Sequence, residues 1–257
     1  MEGEKNEMSF LGHLEELRWH LVRSAAAIFI IGILLFVFQK EVFNHFLLAH
    51  RKSDFITYQI FCDFFNLFGM DSTFCNVAFT DNLISLKPTQ QLMTAIWSSL
   101  ILGIILAFPY LLWELWRFIS PGLTKKEVKS SRGFLFIASF LFFCGIAFSF
   151  YVIAPISIHF LYNYKISDVI QNNFTLESHI GLVTNMLLGV SVLFELPVLV
   201  YFLTKIGLVT PEFLKKYRKH SLVVVLILAA IITPPDVASQ VIVAIPILVL
   251  YEISIKV

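Results

Sequence analysis

Six long apolar segments constrain this chain more than any other feature of its sequence. A helix needs about 20 apolar residues to cross the roughly 30 Å hydrocarbon core of a bilayer. Only 14% of the 257 residues are charged, whereas soluble domains carry about 25%. The segments predict one all-α domain, residues 1–257, that crosses a membrane six times. The predicted spans are 21–38, 92–113, 133–153, 180–204, 221–232 and 238–255.

The last two predicted spans are short. The prolines of "TPPD" stop the fifth at residue 232, and its twelve residues rise only about 18 Å as a helix. The bilayer must thin there, or His220 and its neighbours must enter it.

The stretch "SFLGHLEELRWHLVR" precedes the first span. Its residues Phe10, Leu14, Leu17 and Leu21 repeat at helical spacing and form one apolar stripe. This pattern predicts an amphipathic helix that lies on the membrane surface and runs into the first span.

The distribution of positive charge predicts the orientation. With the N-terminus inside, 14 of the 19 Lys and Arg residues lie on the inner side and 5 on the outer side. This bias places both termini in the cytoplasm. The formal net charge is only +1, so no basic excess argues for a nucleic-acid partner.

A carboxylate interrupts the fourth predicted span, in "VSVLFELPVLVYFL". Glu195 lies about 4.5 Å to the inner side of the span's midpoint, where a charge costs roughly 3 kcal/mol. Pro197 follows it and is expected to bend the helix. Either another helix of the chain satisfies the carboxyl group, or Glu195 is a polar docking point or a proton site.

Polar side chains also cluster in the N-terminal stretch. His13, Glu16 and His20 share a face that differs from the apolar stripe. Spacing alone favours a membrane anchor with local Glu15–Arg18 and Glu16–His20 pairs.

Two further acids lie on the inner side. Glu127 is the only acid among the bases of the first inner loop, and a solvated pair with a lysine is the default interpretation. Glu114 and Arg117 are three residues apart at the inner end of the second span and can pair.

Two cysteines lie in the first outer loop. Cys62 and Cys75 could form a disulfide on the outer face, or remain two reduced, buried thiols. Metalloprotease, nucleophile-elbow and P-loop patterns are absent. The sequence therefore predicts no enzyme activity, catalytic residue, metal or cofactor.

Four motifs together resemble the TatC family, the multi-spanning receptors of the twin-arginine protein translocase. "HLEELRWHL" (13–21) resembles the family's "HLxELRxRL", and "WRFISPGLTKKE" (116–127) resembles its first inner loop. "FELPV" (194–198) is similar to the fourth-span motif, and "ITPPDVASQ" (232–240) to the turn before the last span. The resemblance implies six tilted helices that form a cupped, concave bundle. One departure is His20, where the family usually has a second arginine.

The resemblance also implies the site residues. Two acids would bind the twin arginines of a signal peptide at the cytoplasmic surface, and an intramembrane acid would dock the single-span partner subunits. The matching residues are Glu16 and Glu127 with Arg18, Phe118 and Leu123 for the signal peptide; Glu195 and Pro197 for the partner; and Pro234, Asp236 and Gln240 for the outer end of the docking groove.

The implied function is export of folded proteins across the bacterial inner membrane, driven by the proton-motive force. The implied partners are signal peptides, TatA- and TatB-type subunits, further TatC copies and the lipid bilayer. The alternative is a proton-coupled small-solute transporter that uses Glu195. That alternative predicts inverted repeats and more polar residues at mid-membrane, and the sequence shows neither.

Overall fold

The computed structural model of the chain describes residues 10–68, 75, 83–122, 132–167, 169–170, 172–205, 207, 209–234 and 236–256. Nearly all of this part of the chain is helical, and its one β-type pairing is an isolated bridge between Ile84 and Thr175. Four helical stretches are long and apolar enough to cross a membrane. A fifth apolar stretch, Ser239–Ile255, is shorter.

The principal helices follow one another along the chain and pack into a bundle. They are α1 (Phe10–Val37), α2 (Ile56–Leu67), α3 (Gln90–Ile119), α4 (Arg132–Phe148), α5 (Ala154–Asn163), α6 (Leu176–Phe194), α7 (Leu196–Lys205), α8 (Pro211–Lys216), α9 (Arg218–Ile232) and α10 (Val237–Lys256). A π-helical turn, Ser149–Ile153, joins α4 to α5 without a gap. We call the side at which α1 begins the N-terminal side, and the opposite side the far side.

Helix boundaries differ from the predicted spans in three places. The amphipathic stretch and the first span form the single helix α1, because no proline interrupts the sequence between them. Pro155 does not end the third span: it lies in the first turn of α5, where its missing N–H is tolerated. The fourth span is split at Glu195, between α6 and α7.

Small residues let the helices approach closely. A Cβ atom on Gly103 of α3 would lie 2.9 Å from the carbonyl oxygen of Ile28 and 3.1 Å from the amide nitrogen of Gly32, both in α1. Gly145 of α4 approaches Ser191 of α6 in the same way. Close backbone approach at small residues is typical of helix packing in membranes. These contacts join α1 to α3 and α4 to α6.

On the far side, the turns after α1 bind the π-helical segment. The His50 ring nitrogen Nε2 lies 2.8 Å from the carbonyl oxygen of Phe150, and the Thr57 hydroxyl donates to the carbonyl of Tyr151. The Tyr58 hydroxyl is 2.9 Å from the His50 carbonyl oxygen and 3.4 Å from that of Pro155. A π-helical turn displaces carbonyls from the regular ladder. Side chains from the loop and from α2 therefore supply partners for these carbonyls.

We expect the buried His50 to make stability depend on pH. Burial lowers the pKa of His50 from 6.5 to about 4, so the folded state disfavours its protonation. Its contribution, roughly 3 kcal/mol, is complete above the unfolded-state pKa and is lost as the pH falls toward the folded value. The thermal midpoint in detergent should drop between about pH 7.5 and about pH 5. His50→Gln, which keeps a donor for Phe150, should flatten that slope; an unchanged slope contradicts the assignment.

We expect Gly103→Ala to destabilise the bundle, because the new methyl group meets the backbone of α1. Alanine normally stabilises a helix by about 1 kcal/mol relative to glycine. Helix propensity alone would therefore make the variant more stable, so a loss of stability would report the contact of the new methyl group with α1. Gly133→Ala in α4 is the matched control, since nothing lies within 4 Å of its Cβ position. Thermal unfolding of the two variants checks the packing, and equal midpoints would count against it.

Candidate functional site

On the N-terminal side, one face of α1 meets the end of α3. The ring of His13 stacks on Phe118, with centroids 4.4 Å apart and planes 19° apart. His20 approaches the same ring edge-on at 6.0 Å. The histidines are seven residues apart, about two helical turns, so Phe118 fixes this face of α1. The structure thus brings Phe118, predicted to be a signal-peptide residue, next to the motif of α1.

Glu16 lies on the same face, between the two histidines. Its side chain is half-buried, and its oxygen Oε2 is shielded from solvent with no hydrogen-bond partner among the described residues. The predicted Glu16–His20 pair is not among the ion pairs of this region, because His20 binds a different carboxylate. A shielded carboxylate oxygen without a donor is costly. The Oε2 oxygen of Glu16 is therefore available to accept a hydrogen bond from another molecule.

The carboxylate that binds His20 is Glu114 of α3. Glu114 is 1% exposed, and its Oε2 lies 2.5 Å from the His20 nitrogen Nδ1. The Tyr110 hydroxyl donates to Oε1 at 2.8 Å, and Arg117, the partner expected from spacing, is more distant at 3.7 Å. Sequence reasoning missed this centre. The available signal was His20 itself, a titratable residue where the resembled motif has arginine.

Arg18, another predicted signal-peptide residue, lies on a different face. It is exposed, pairs with Glu15 at 3.3 Å, and lies 5.6 Å from the centroid of the Trp19 ring. The local Glu15–Arg18 pair expected from spacing is therefore present. The predicted residues Leu123 and Glu127 lie outside the described residues.

Glu195 occupies the break in the fourth span. Its amide bonds the carbonyl of Val192 at 3.1 Å, and its own carbonyl accepts from the Leu199 amide, so the chain passes from α6 to α7 through one residue. Pro197, half-buried in the first turn of α7, has no N–H to continue the ladder of α6. The Glu195 oxygen Oε1 is shielded and has no hydrogen-bond partner among the described residues. The carboxyl group also interacts with the backbone of Phe142 in α4, so only Oε1 lacks a partner in that part of the chain.

The turn before the last helix is held by its own polar side chains. Asp236 is buried, and its Oδ1 accepts from the amide of Ser239 at 2.6 Å, which caps α10. The Gln240 amide group donates to the carbonyl of Leu226 in α9 at 3.0 Å. Pro234 is half-buried, and its carbonyl accepts from the Asp236 amide. The three predicted groove residues thus stiffen the hairpin of α9 and α10.

Cys62 and Cys75 form a disulfide on the far side. Cys62 lies in α2, and Cys75 is exposed. The bond ties the last turns of α2 to the segment that leads to α3. Of the two alternatives left open by the sequence, the structure has the disulfide rather than two buried thiols.

Comparison with known proteins gives a consistent result. The family model described as "Sec-independent protein translocase protein (TatC)" matches residues 12–246. A TatC protein of Blattabacterium sp. subsp. Periplaneta americana is 40% identical, over 99% of this chain and 96% of its own length. A TatC protein of Helicobacter pylori strain J99 is 38% identical, over 95% of this chain and 86% of its own length. The crystal structure titled "Twin Arginine Translocase Receptor- TatC in DDM" superposes with a TM-score of 0.72 and 32% identity, covering 95% of this chain and 98% of that one.

We expect the buried His20–Glu114 pair to stabilise the contact between α1 and α3. Glu114→Ala leaves a buried imidazole without its partner and should destabilise the protein by about 3 kcal/mol. Adding His20→Ala should cost less than a second independent loss, because the two groups are coupled. Chemical unfolding in detergent measures both effects.

The control for this prediction is Glu15→Ala, which removes the exposed Arg18 pair and should change stability by less than about 1 kcal/mol. If Glu114→Ala is as mild as Glu15→Ala, the pair is not a structural centre.

Proposed function

The chain belongs to the TatC family of Sec-independent protein translocase proteins, and we propose that it is the signal-peptide receptor of that machinery. As a member of this family it is a multi-pass membrane component of the twin-arginine protein transport system and not an enzyme. The proposal concerns the peptide it binds, the residues that bind it and the subunits it gathers.

The observation that carries the proposal is the unpaired carboxylate oxygen of Glu16. Glu16 lies on the same face of α1 as His13 and His20, and both histidine rings contact the ring of Phe118. An arginine guanidinium presents five N–H donors in a rigid planar fork and binds carboxylates in a bidentate manner. It also stacks on aromatic faces. A peptide arginine therefore supplies what the Glu16 site lacks.

A second carboxylate of the receptor would bind the second arginine of the signal peptide. Glu127 is the last residue of the motif "SPGLTKKE" and the only acid among the bases of the predicted first inner loop. The surrounding lysines disfavour cationic partners that do not also engage the carboxylates. We therefore propose Glu16 and Glu127 as the two acids that recognise the twin arginines, with Phe118 and Leu123 beside them and Arg18 on a neighbouring face of α1.

The charge bias of the loops supports a cytoplasmic position for this site. With the N-terminus inside, the predicted topology puts 14 of the 19 Lys and Arg residues on the inner side, which predicts that this side faces the cytoplasm. Both termini then lie in the cytoplasm, and the membrane is the bacterial inner membrane. Folded precursors present their signal peptides on that side before export.

Glu195 is proposed as the docking point for the transmembrane helix of a TatA- or TatB-type subunit. Its shielded, unpaired oxygen lies where α6 gives way to α7. A polar side chain on a partner helix would supply the missing donor. The hairpin stiffened by Pro234, Asp236 and Gln240 would form the far end of the same groove. Further TatC copies would complete an assembly that uses the proton-motive force.

We expect Glu16→Ala and Glu127→Ala each to weaken binding of a twin-arginine peptide more than tenfold, about 1.4 kcal/mol. A peptide with both arginines replaced by lysine should also bind more weakly, because lysine lacks the bidentate fork. Titration of a fluorescent peptide against the protein in nanodiscs gives the dissociation constants.

The matched control is Glu15→Ala, which removes an exposed acid from the neighbouring position of α1 and should leave binding within twofold. Equal binding of the lysine peptide, or no loss in either alanine variant, would sink the acidic-site assignment and reopen the transporter alternative. Proton uptake by Glu195→Gln would then be the next measurement.

We expect Glu195→Leu to reduce copurification of the single-span subunits at least tenfold, since it removes the carboxyl group that would bond the partner. Glu195→Gln keeps an acceptor and adds a donor, so it should retain most of the partner if a hydrogen bond is what docks it. Ser191 is the reference position: its hydroxyl already bonds the Leu188 carbonyl, and Ser191→Ala should leave copurification unchanged. Full recovery of partners with Glu195→Leu contradicts the docking role.

A further inference from the structure

The far-side helix α2 shows three different surfaces. With 3.6 residues per turn, its twelve residues, Ile56–Leu67, divide into a buried face, an exposed apolar face and an exposed polar face. We propose that α2 is an interfacial helix, whose exposed apolar face lies in the lipid of the far leaflet while its polar face meets water. This surface is separate from the peptide and partner sites proposed above.

The buried face holds α2 against the bundle. Tyr58 is 1% exposed and Thr57 is 5% exposed, and both bond backbone carbonyls of other segments. Phe61 and Phe65 are half-buried on the same side. The protein therefore fixes the rotation of α2 about its own axis, and with it the direction of the remaining faces.

The apolar face has no cover from the described residues. Ile56, Ile60, Phe64 and Leu67 follow one another at spacings of four, four and three, and their exposed fractions are 54%, 60%, 53% and 82%. Phe68, just beyond the helix, is 61% exposed. A contiguous apolar surface of this kind on a protein marks contact with lipid or with another protein.

The polar face points to a boundary between lipid and water. Gln59, Asp63 and Asn66 are exposed and share one side of the helix, next to the apolar face and away from Phe61 and Phe65. A helix buried in another protein would not need a polar stripe beside its apolar one. Apolar and polar faces side by side are the pattern of helices that lie in the plane of a membrane surface.

The depth of α2 in the membrane favours lipid, rather than another protein, as the partner of its apolar face. Thr57 bonds the carbonyl of Tyr151, which lies sixteen residues beyond Leu135, the start of the third apolar span. Sixteen residues rise about 24 Å, within the roughly 30 Å of the hydrocarbon core. The same helix continues for twelve more residues, to Asn163. The base of α2 therefore lies at the level of the far leaflet, and its uncovered apolar face meets acyl chains there.

Charge near the start of α2 fits lipid headgroups. Arg51 and Lys52 lie in the turn before the helix, and Lys52 is exposed. The Arg51 guanidinium carbon is 5.7 Å from the Tyr162 ring centroid. Cations and aromatic rings at this level are typical of the membrane–water boundary, where they meet phosphates and glycerol.

Tryptophan quenching tests the proposal on the full chain. The four native tryptophans, Trp19, Trp97, Trp113 and Trp116, are replaced by Phe, and a single tryptophan is introduced by Ile60→Trp or Phe64→Trp. Gln59→Trp and Asp63→Trp are the matched controls, each one residue away on the polar face. The proteins are placed in phosphatidylethanolamine–phosphatidylglycerol vesicles, with brominated acyl chains as lipid quencher and acrylamide as aqueous quencher.

We expect brominated lipid to quench Ile60→Trp and Phe64→Trp at least twofold more than the two controls, and acrylamide to show the reverse order. Equal acrylamide quenching at all four positions overturns the proposal. Lipid quenching that appears only after the protein is diluted in the vesicles also overturns the proposal. Such a result would mean that another copy of the chain covers the face at higher protein density.

A second measurement uses the unaltered protein, in case replacement of the tryptophans disturbs folding. A photoactivatable diazirine phospholipid is incorporated into the same vesicles, and the adducts are located by mass spectrometry. Adducts on Ile56, Ile60, Phe64 or Leu67, and none on Gln59 or Asp63, are the expected result. Adducts confined to the spans, with none on α2, overturn the proposal.

Discussion

The absence of water from the bilayer core is the constraint on which the rest of this structure depends. Every backbone N–H and C=O there needs a partner within the protein, which is why the described chain is almost wholly helical. Three interruptions of the ladder in the described chain bear on the sites discussed above: the π-helical turn Ser149–Ile153, Glu195, and the turn between α9 and α10. At the first and third, side chains such as His50 and Asp236 bind the backbone. At Glu195 one carboxylate oxygen, Oε1, stays unpaired among the described residues, and so does the second oxygen of Asp236, Oδ2.

Hydrogen bonding distinguishes the structural acid Glu114 from the candidate functional acids. Glu114 is buried more deeply than Glu16 or Glu195, yet His20, Tyr110 and Arg117 all approach it. Its charge joins α1 to α3. Glu16 and Glu195 are less buried, and each keeps one shielded oxygen without a partner among the described residues. A buried acid destabilises a membrane protein unless its carboxylate has partners. An acid with an oxygen that lacks a hydrogen-bond partner is therefore a candidate for contact with another molecule.

Much of the fold followed from sequence patterns. Apolar length predicted the crossings, and the prolines of "TPPD" predicted the last turn, because span length and proline geometry act locally. The site was only partly predictable. The motifs that hold Glu16 and Phe118 meet in the structure, since His13 and His20 both contact Phe118. The predicted pairing of His20 was wrong, because its partner is 94 positions away in the chain. Periodicity within α1 holds no information about which helix faces it.

The sequence by itself therefore determined that the chain crosses a membrane, which way its loops are charged, and which few polar residues stand in apolar surroundings. Hydrophobicity and charge act residue by residue, so a linear reading detects them. Only the tertiary structure decided which of those polar residues satisfy each other. It also decided the position and rotation of α2 against the bundle, through the bonds of Thr57 and Tyr58 to distant carbonyls. Hydrogen bonds between helices depend on distances of a few ångströms, and those distances exist only after the helices have packed.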